Sequence, residues 1–391
     1  MESLIIISVI TAGLIIYGAL EFVRHTANLK SIPFRIHVNG TRGKSSVTRL
    51  IGAGLRAGGY NTITKVTGTY PRMILADGSE IGIPRKEKAN ILEQLKIVKF
   101  CSEKQADVLL IECMALQPNF QHITEHQMVR ATHGVITNIR LDHLDVMGPG
   151  LPDVAKALSG TVPRKAKLFT AEDRILSVLE KKAARMDTEL FVADKKTVSA
   201  GEMEGFTYFE HPENVALALL VCESMSVSRQ VALQAMKKTI PDEGVLRKYV
   251  HRHVGHRIHF YNALAANDPE SSFMIWKQIR LNEGNEKQYI IILNSRKDRK
   301  DRSEQLVHMV SECKFDYLVL TGENSLQVKQ MALDADIDGA KVVPVGIKSP
   351  EAQLDDLLGL TERNAVIVAF GNMGAGGAEL SKLFEEKHYI Q

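Results

Sequence analysis

The fold of this chain is decided by the segment Phe34-Arg-Ile-His-Val-Asn39 and the residues that follow it, Gly40-Thr-Arg-Gly-Lys-Ser-Ser46. A short strand runs directly into a glycine turn, and a helix is then predicted by the apolar spacing of Val47, Leu50, Ile51 and Leu55. Strand, glycine turn, Lys-Ser and helix are together typical of a phosphate-binding loop. We therefore expect an α/β domain that binds a nucleoside triphosphate.

Each position of the loop has a physical role in this interpretation. Gly40 and Gly43 allow the backbone N–H groups to curl around phosphate oxygens. Lys44 is placed to reach the β- and γ-phosphates of ATP, and the Ser45 hydroxyl to hold Mg²⁺. The predicted nucleotide site also includes Thr41, Arg42 and Ser46. The outer glycine of the usual pattern is replaced by Val38, so a glycine-rich turn with a surface lysine is the alternative interpretation.

Composition restricts the class of protein. The chain has 391 residues, of which 45% are hydrophobic and 24% charged, which indicates a globular body of two domains. The formal net charge of +3 gives no indication of a nucleic-acid partner. Four scattered cysteines, Cys101, Cys113, Cys222 and Cys313, favour neither a disulfide framework nor a structural zinc site, and they suit a reducing compartment.

An uncharged apolar run precedes the loop. Leu4 to Leu20 covers seventeen residues, and as a helix it is about 25 Å long, slightly short of a bilayer core. The basic residues behind it, Arg24, Lys30 and Arg35, predict by the positive-inside rule that the remaining chain is cytoplasmic. We expect residues 1–23 to form a single-pass anchor in the cytoplasmic membrane, with the N-terminus outside. A buried core helix is the alternative.

Downstream of the loop, short apolar runs alternate with helical patterns. Strands are predicted over Val108–Glu112, Gly134–Ile139, Leu168–Thr170 and Glu189–Ala193, and helices over Ile91–Glu103, Asn214–Met225 and Arg229–Lys238. This alternation predicts a doubly wound, mostly parallel sheet with its ligands at the carboxyl ends of the strands. Glu112 and the pair Asp142-His143 both come at such ends.

The pattern breaks near Pro241, where a linker is predicted over Pro241-Asp-Glu-Gly244. We expect an ATP-binding domain over residues 32–243 and a smaller α/β domain over residues 244–391. The strands predicted for the second domain are Arg257–Tyr261, Tyr289–Leu293, Tyr317–Thr321 and Ala365–Phe370.

The most specific stretch is Thr137-Asn-Ile-Arg-Leu-Asp-His-Leu-Asp145. Together with the phosphate loop, Glu112 and His211-Pro-Glu-Asn214, it resembles the Mur ligase and folylpolyglutamate synthase superfamily. The resemblance implies a Mur ligase-like central domain followed by a C-terminal ligase domain. It covers four motifs in the same order over more than 170 residues.

Further stretches narrow the resemblance to the membrane-anchored ligase subunits of poly-γ-glutamate synthases. These are Lys65-Val-Thr-Gly-Thr69 with Arg72, Glu112-Cys-Met-Ala115, Asp142-His-Leu-Asp-Val-Met-Gly-Pro149 and Asn262-Ala-Leu-Ala-Ala-Asn-Asp268. Mur ligases carry a further domain ahead of the loop, whereas this chain has an apolar segment there. Where Mur enzymes read roughly D-S-K-A-T-N, this chain has Asn262-Ala-Leu-Ala-Ala-Asn267, so the roles of that Asp and Lys are not carried over.

The resemblance implies roles for the carboxylate and the histidine beyond the loop. Glu112 and His143 would act beside Lys44 in catalysis and would hold a second Mg²⁺ or Mn²⁺, as oxygen and nitrogen donors can. Alternatively, Glu112 caps a helix, and His143 is a satisfied, partly buried histidine. Asp142 would orient His143 or cap its loop.

Two further residues would contact the nucleotide. Asn214 would bind it directly, unless it is a helix N-cap. Arg247 resembles an arginine that reaches phosphate from the second domain, although a surface arginine fits the sequence as well.

The function that the resemblance implies is an ATP-dependent acid–amino-acid ligase that forms ADP and phosphate and polymerises glutamate through γ-linkages. Its partners would be glutamate, the growing poly-γ-glutamate chain and other membrane subunits that export the polymer; a homo-oligomer stays open. Acyl phosphate chemistry needs positioning and charge neutralisation rather than a nucleophilic side chain. A folylpolyglutamate synthase-like ligase and a membrane-tethered NTPase that drives transport are the alternatives.

Overall fold

A computed structural model describes residues 2–67, 71–85, 90–206, 208, 210–241, 246–264, 266 and 268–387. The chain divides into two compact units, Met1–Asp242 and Glu243–Gln391. The predicted linker lies outside the described residues except for Pro241, and so do Gly68, Thr69, Ala265 and Asn267 of the motifs.

The N-terminal helix α1 runs from Glu2 to Lys30 and is longer than the apolar run predicts. The helix continues past Leu20, where the apolar run ends, because residues 21–30 contain neither glycine nor proline and a single Glu21 does not stop a helix. Side chains from Leu4 to Val23 are exposed, and these twenty residues rise about 30 Å, the thickness of a bilayer core. Among the described residues, one helix, α1, is both long enough and apolar enough to cross a membrane.

An eight-stranded sheet forms the centre of the first unit, in the order β4-β3-β2-β5-β1-β6-β7-β8. Its strands are β1 Phe34–Asn39, β2 Thr62–Val66, β3 Arg72–Ile74, β4 Glu80–Gly82, β5 Val108–Glu112, β6 His133–Ile136, β7 Lys167–Thr170 and β8 Glu189–Val192. All neighbours are parallel except the β2–β3 and β3–β4 pairs. The strand that carries the phosphate loop therefore lies inside the sheet, between β5 and β6.

Helices cover both faces of this sheet. They are α2 Lys44–Ala57, α3 Glu93–Glu103, α4 Pro118–Ile123, α5 Leu144–Met147, α6 Leu151–Leu158, α7 Leu176–Arg185, α8 Ala200–Met203, α9 Pro212–Ser224 and α10 Arg229–Lys237. One apolar core joins α2 to α9 and α10, and another joins the end of α1 to α3. The buried apolar face of α2 holds the helix that follows the loop against the sheet.

The second unit has a six-stranded sheet in the order β13-β12-β11-β14-β10-β9. The strands are β9 Arg247–His253, β10 His256–Asn262, β11 Gln288–Ser295, β12 Tyr317–Gly322, β13 Val342–Gly346 and β14 Ala365–Gly371. Its helices are α11 Pro269–Glu283, α12 Lys300–Ser311, α13 Ser325–Asp334, α14 Pro350–Gly359 and α15 Gly377–Glu386. Among the described strands of this second sheet, only the edge strand β9 pairs antiparallel, with β10. The expected fold class, two α/β domains with mostly parallel sheets, is confirmed.

Candidate active site

The phosphate loop lies at the carboxyl end of β1, where its two glycines adopt conformations that other residues avoid. The φ angles of Gly40 and Gly43 are 132° and 75°. A Cβ atom on Gly40 would lie 2.1 Å from Thr137 Oγ1, and one on Gly43 would lie 2.8 Å from Asn214 Oδ1. The absence of a side chain at both positions lets two neighbouring segments close onto the loop.

The segment after β6 holds the loop in place. Arg42 N donates to Asn138 Oδ1 at 3.1 Å, while Asn138 Nδ2 and Thr137 Oγ1 donate to the Arg42 carbonyl at 3.1 and 2.6 Å. Thr41 N donates to the Asn138 carbonyl at 3.0 Å. This clamp corrects the strand predicted over Gly134–Ile139: β6 ends at Ile136, because the next residues turn to bind the loop.

Lys44 bends back over the loop that it follows. Its ammonium donates to the carbonyl oxygens of Gly40 and Thr41, at 2.8 and 3.1 Å. Desolvation lowers the pKa of Lys44, and the nearby carboxylate of Glu112 opposes that shift. An ammonium group has three donors, so two bonds to the loop leave one for a phosphate oxygen. The predicted Ser46 also lies here, on the first turn of α2.

Ser45 and Glu112 meet at the mouth of the loop. The Ser45 hydroxyl donates to both carboxylate oxygens of Glu112, at 3.0 and 3.1 Å, and Thr67 N donates to Glu112 Oε2 at 2.7 Å. Glu112 is 3% exposed and lies opposite Val38 in the β1–β5 register. Among the described residues, the donors to Glu112 are the Ser45 hydroxyl and the backbone N–H of Thr67, which follows β2. Neither donor is a backbone N–H at the start of a helix, so these contacts differ from the helix-capping alternative.

His143 and Asp142 lie on the loop that precedes α5. His143 has a φ of 47° and its side chain is 25% exposed. Asp142 faces two side chains: its Oδ2 is 3.8 Å from His143 Nε2, and its Oδ1 is 3.5 Å from the Arg42 guanidinium at Nη2. This arrangement is compatible with Asp142 as the residue that orients His143. In the part of the chain that the structure describes, no group of three or more His, Cys, Asp or Glu side chains is arranged to hold a metal ion.

Asn214 approaches the loop from α9. It is the third residue of that helix, and the N-cap is His211, so the N-cap alternative for Asn214 is wrong. Asn214 Nδ2 donates to Glu210 Oε1 at 2.7 Å, which leaves its Oδ1 facing Gly43. Burial raises the pKa of Glu210 to about 7.

A cavity of about 340 Å³ opens beside the clamp, at the carboxyl ends of β6, β7 and β8. Asn138 and Glu213 line it. The cavity therefore lies next to the phosphate loop, at the edge of the sheet where parallel α/β proteins bind ligands.

Sequence reasoning brought together the loop, Glu112 and Asn214, but it gave no role to Thr67, Thr137, Asn138 or Glu210. The T-N pair was visible as part of a motif; the contact of Glu210 depends on the packing of α9. Arg247 opens β9 in the second unit, opposite Asn262, and its side chain lies outside the described residues. Its contact with phosphate stays a prediction.

Models of two protein families match this chain. The Mur ligase middle domain matches residues 38–231, and the poly-gamma-glutamate synthase CapB C-terminal domain matches residues 248–387. The capsule biosynthesis protein CapB of Bacillus anthracis is 36% identical over 340 residues, which cover 86% of this chain and 73% of that protein. The PGA synthase CapB of Bacillus subtilis is 33% identical over 380 residues, 96% of each.

Solved structures share the fold. The folylpolyglutamate synthase of Mycobacterium tuberculosis, complexed with ADP, superposes with a TM-score of 0.69 at 16% identity and covers 94% of both chains. The bifunctional folylpolyglutamate synthase/dihydrofolate synthase of Yersinia pestis, with AMPPNP and Mn, gives a TM-score of 0.70 at 14% identity, covering 93% of this chain and 92% of that one.

The fold and the phosphate-loop site define an ATP-dependent amide ligase of the Mur type. Identity above 30% over most of the chain and the match of the C-terminal domain then decide the family. The chain belongs to the CapB family of poly-γ-glutamate synthases.

Proposed function

We propose that this protein joins glutamate residues through their γ-carboxylates and so lengthens a poly-γ-glutamate chain, forming ADP and phosphate from ATP. The observation that carries the proposal is the contact of Ser45 with Glu112 beside Lys44, at the mouth of a phosphate loop, in a chain of the CapB family. A hydroxyl, a carboxylate and an ammonium at that place suit the transfer of a phosphoryl group.

The proposed reaction has two steps. A γ-carboxylate oxygen attacks the γ-phosphorus of ATP, the bond between that phosphorus and the ADP oxygen breaks, and a γ-glutamyl phosphate forms. The amine of the next glutamate then attacks the acyl carbon; the C–N bond forms, phosphate leaves with the electrons of the C–O bond, and the amine loses a proton to solvent. Neither step needs a covalent bond to the enzyme.

The chain contributes charge and position. The loop N–H groups, the start of α2 and the free donor of Lys44 would bind the β- and γ-phosphates. The clamp of Thr137 and Asn138 keeps the Arg42 backbone in the bent form that this binding requires. Because the donors are oriented before ATP arrives, little reorganisation is needed when charge develops on the phosphoryl group.

A divalent cation fits the same place. Ser45 and Glu112 each present hard oxygen ligands of the kind that suits Mg²⁺ and Mn²⁺, and the Ser45 hydroxyl lies 3.0 and 3.1 Å from the two carboxylate oxygens. When bound, the ion would neutralise part of the charge on the β- and γ-phosphates. We propose Ser45 for a first ion, and Glu112 with His143 for a second.

We also propose that α1 crosses the cytoplasmic membrane once, with its N-terminus outside and the ligase body in the cytoplasm. The support is the exposed apolar surface from Leu4 to Val23, followed directly by Arg24 and Lys30. Other membrane subunits would then receive the polymer for export. Resistance of the protein to carbonate extraction from membranes tests the anchor.

Trapping with hydroxylamine tests the chemistry. Detergent-purified protein is given ATP, Mg²⁺ or Mn²⁺, hydroxylamine and either L- or D-glutamate, with Lys44→Ala as the control. We expect ATP-dependent γ-glutamyl hydroxamate from the wild type and none from the variant. ATP hydrolysis without hydroxamate, even with membrane partners supplied, would contradict the ligase proposal and support the tethered NTPase.

A further inference from the structure

A cationic cavity of about 680 Å³ lies in the first unit, away from the phosphate loop. The cations that line it are Arg35, Arg130, Arg164 and Lys165, and His122 and His126 lie beside them. Arg35 is near the start of β1, and Lys165 comes two residues before β7 begins. The cavity is therefore at the amino ends of the strands.

ATP binding does not account for this cavity. Gly40 follows the carboxyl end of β1, and the five residue steps from Arg35 to Gly40 span about 16 Å. Nucleotides bind at the carboxyl ends of such sheets. The cations at the amino ends thus form a separate site of unassigned role.

The carboxylate that lines the cavity already has its own partners. Glu125 is 1% exposed; its Oε2 is 2.7 Å from His37 Nδ1, and its Oε1 accepts from Ala131 N at 2.8 Å. Glu125 is thus engaged inside the unit, whereas Arg164 and Lys165 are exposed to solvent. The cavity has an excess of positive charge that a ligand can reach.

The rim of the cavity meets the helix α1. The Arg130 guanidinium lies 5.6 Å from the centroid of the Phe22 ring, and His25 Nε2 is 2.9 Å from the Met128 carbonyl oxygen. Phe22 itself is 60% exposed, and every side chain from Leu4 to Val23 is exposed as well. The cavity thus opens where the apolar part of α1 leaves the folded unit.

We propose that this cavity binds the phosphate head group of an anionic phospholipid in the membrane that α1 crosses. The inference rests on the anchoring proposed above. A guanidinium group can donate two parallel hydrogen bonds to the oxygens of one phosphate. Basic pockets beside membrane helices attract anionic head groups. Occupation would hold the amino edge of the sheet at the bilayer surface and keep the phosphate loop, on the opposite edge, open to cytoplasmic ATP.

The test uses the full chain in detergent micelles. Dihexanoyl phosphatidylglycerol and dihexanoyl phosphatidylcholine are titrated separately, and binding is measured by native mass spectrometry. Arg164→Gln/Lys165→Gln removes two exposed cations of the cavity. Lys96→Gln/Lys238→Gln removes two exposed cations elsewhere on the same unit and serves as the matched control.

We expect the wild type to prefer phosphatidylglycerol. Each cation contributes about a fivefold change in affinity, so the cavity double variant should bind it about 25-fold more weakly, and the control variant within about twofold of the wild type. Equal binding of phosphatidylglycerol by the wild type and the cavity variant would overturn the proposal. A third titration uses inorganic phosphate: binding as tight as that of phosphatidylglycerol, lost in the same variant, would identify a free-anion site and overturn the lipid assignment.

The experiments distinguish failure of the lipid-site inference from failure of the proposed function. The cavity variant in micelles should form hydroxamate within about twofold of the wild type, because its substitutions lie across the sheet from the loop. A wild type that forms no hydroxamate contradicts the ligase, and a wild type extracted by carbonate contradicts the anchor. An active, membrane-integrated wild type without preference for phosphatidylglycerol contradicts the lipid site alone.

Discussion

The Ser45 hydroxyl donates to both carboxylate oxygens of Glu112, at 3.1 and 3.0 Å, although 67 positions separate the two residues in the sequence. The contact exists because β1 and β5 are neighbours in the sheet, with Val38 opposite Glu112. It brings a loop hydroxyl and a strand-end carboxylate to the place where the phosphates of a bound nucleotide would lie.

Glu112→Gln should abolish most of the ligase activity and leave the fold intact. The amide oxygen still accepts from Ser45, but a neutral ligand binds a divalent cation poorly, so hydroxamate formation should fall at least about a hundredfold. Glu103→Gln, at a side chain that is 60% exposed, is the control. Unchanged hydroxamate formation by the Glu112 variant would show that this carboxylate holds no metal that the reaction needs.

Gly40→Ala should destabilise the first unit and inactivate the loop. The new methyl group would lie 2.1 Å from Thr137 Oγ1, on a residue with a φ of 132°. Backbone strain and overpacking together cost about 2–5 kcal/mol. Gly78→Ala is the matched control, since Gly78 has a φ of 84° but no atom within 4 Å of the added carbon.

Urea unfolding measures the free energy of unfolding of both glycine variants. Gly78→Ala should lower the free energy of unfolding by the cost of backbone strain alone, about 1–2 kcal/mol. Equal losses in the two variants would mean that the loop relaxes away from Thr137, and that the close approach is not needed for stability.

Glu210 should make stability depend on pH. Its folded pKa of about 7 is above the ordinary value of 4.5, so its contribution is fully present below pH 4.5 and is lost as the pH rises through 7. The loss amounts to about 3 kcal/mol by linkage. Glu210→Gln can still accept from Asn214, and its free energy of unfolding should lack this slope between pH 4.5 and 8. A slope identical to that of the wild type would assign the effect to another group.

His37 should impose a second dependence at higher pH. Burial alone would lower its pKa, but the side chains of Cys113 and Glu125 raise the pKa of His37 to about 9. The raised value means that the stabilisation is complete below about pH 6.5 and is lost as the pH rises through 9.

Replacing His37 separates the two partners of this pair. His37→Ala leaves the Glu125 carboxylate buried without its partner and should cost about 3–5 kcal/mol. Adding Glu125→Gln removes the unpaired charge and should restore part of that loss. If the double variant is no more stable than the single one in urea, the Glu125 charge is not the cause.

Local sequence patterns were sufficient to predict the phosphate loop and the edge of the sheet where the site lies. The strand over Phe34–Asn39, the glycines and the helix after them follow one another directly, so no distant contact is needed to recognise them. Glu112 was identifiable because a carboxylate that follows a buried run in a parallel sheet comes to the ligand-binding edge. The strands β2, β3, β4 and β13 escaped prediction; β3 and β4 have three residues each, too few to show a clear periodicity.

Boundaries depended on contacts that no local pattern encodes. The strand pattern over Gly134–Ile139 continues through Thr137 and Asn138, yet the chain turns there because their side chains bind the Arg42 backbone. The apolar run of α1 ends at Leu20, whereas the helix continues to Lys30 because the packing of His25 and Leu29 against the unit stabilises its last turns.

The sequence by itself determined the elements whose signals lie within a few residues: the phosphate loop, the apolar helix, the alternation of strands and helices, and the order of the motifs. Only the tertiary structure decided which distant side chains share a site. Strand order joins Ser45 to Glu112 at one edge of the sheet and gathers Arg35, Arg130 and Lys165 at the other. The physical reason is that hydrogen bonds, charge and desolvation act through space over a few ångströms, and proximity in space arises from how the strands pair.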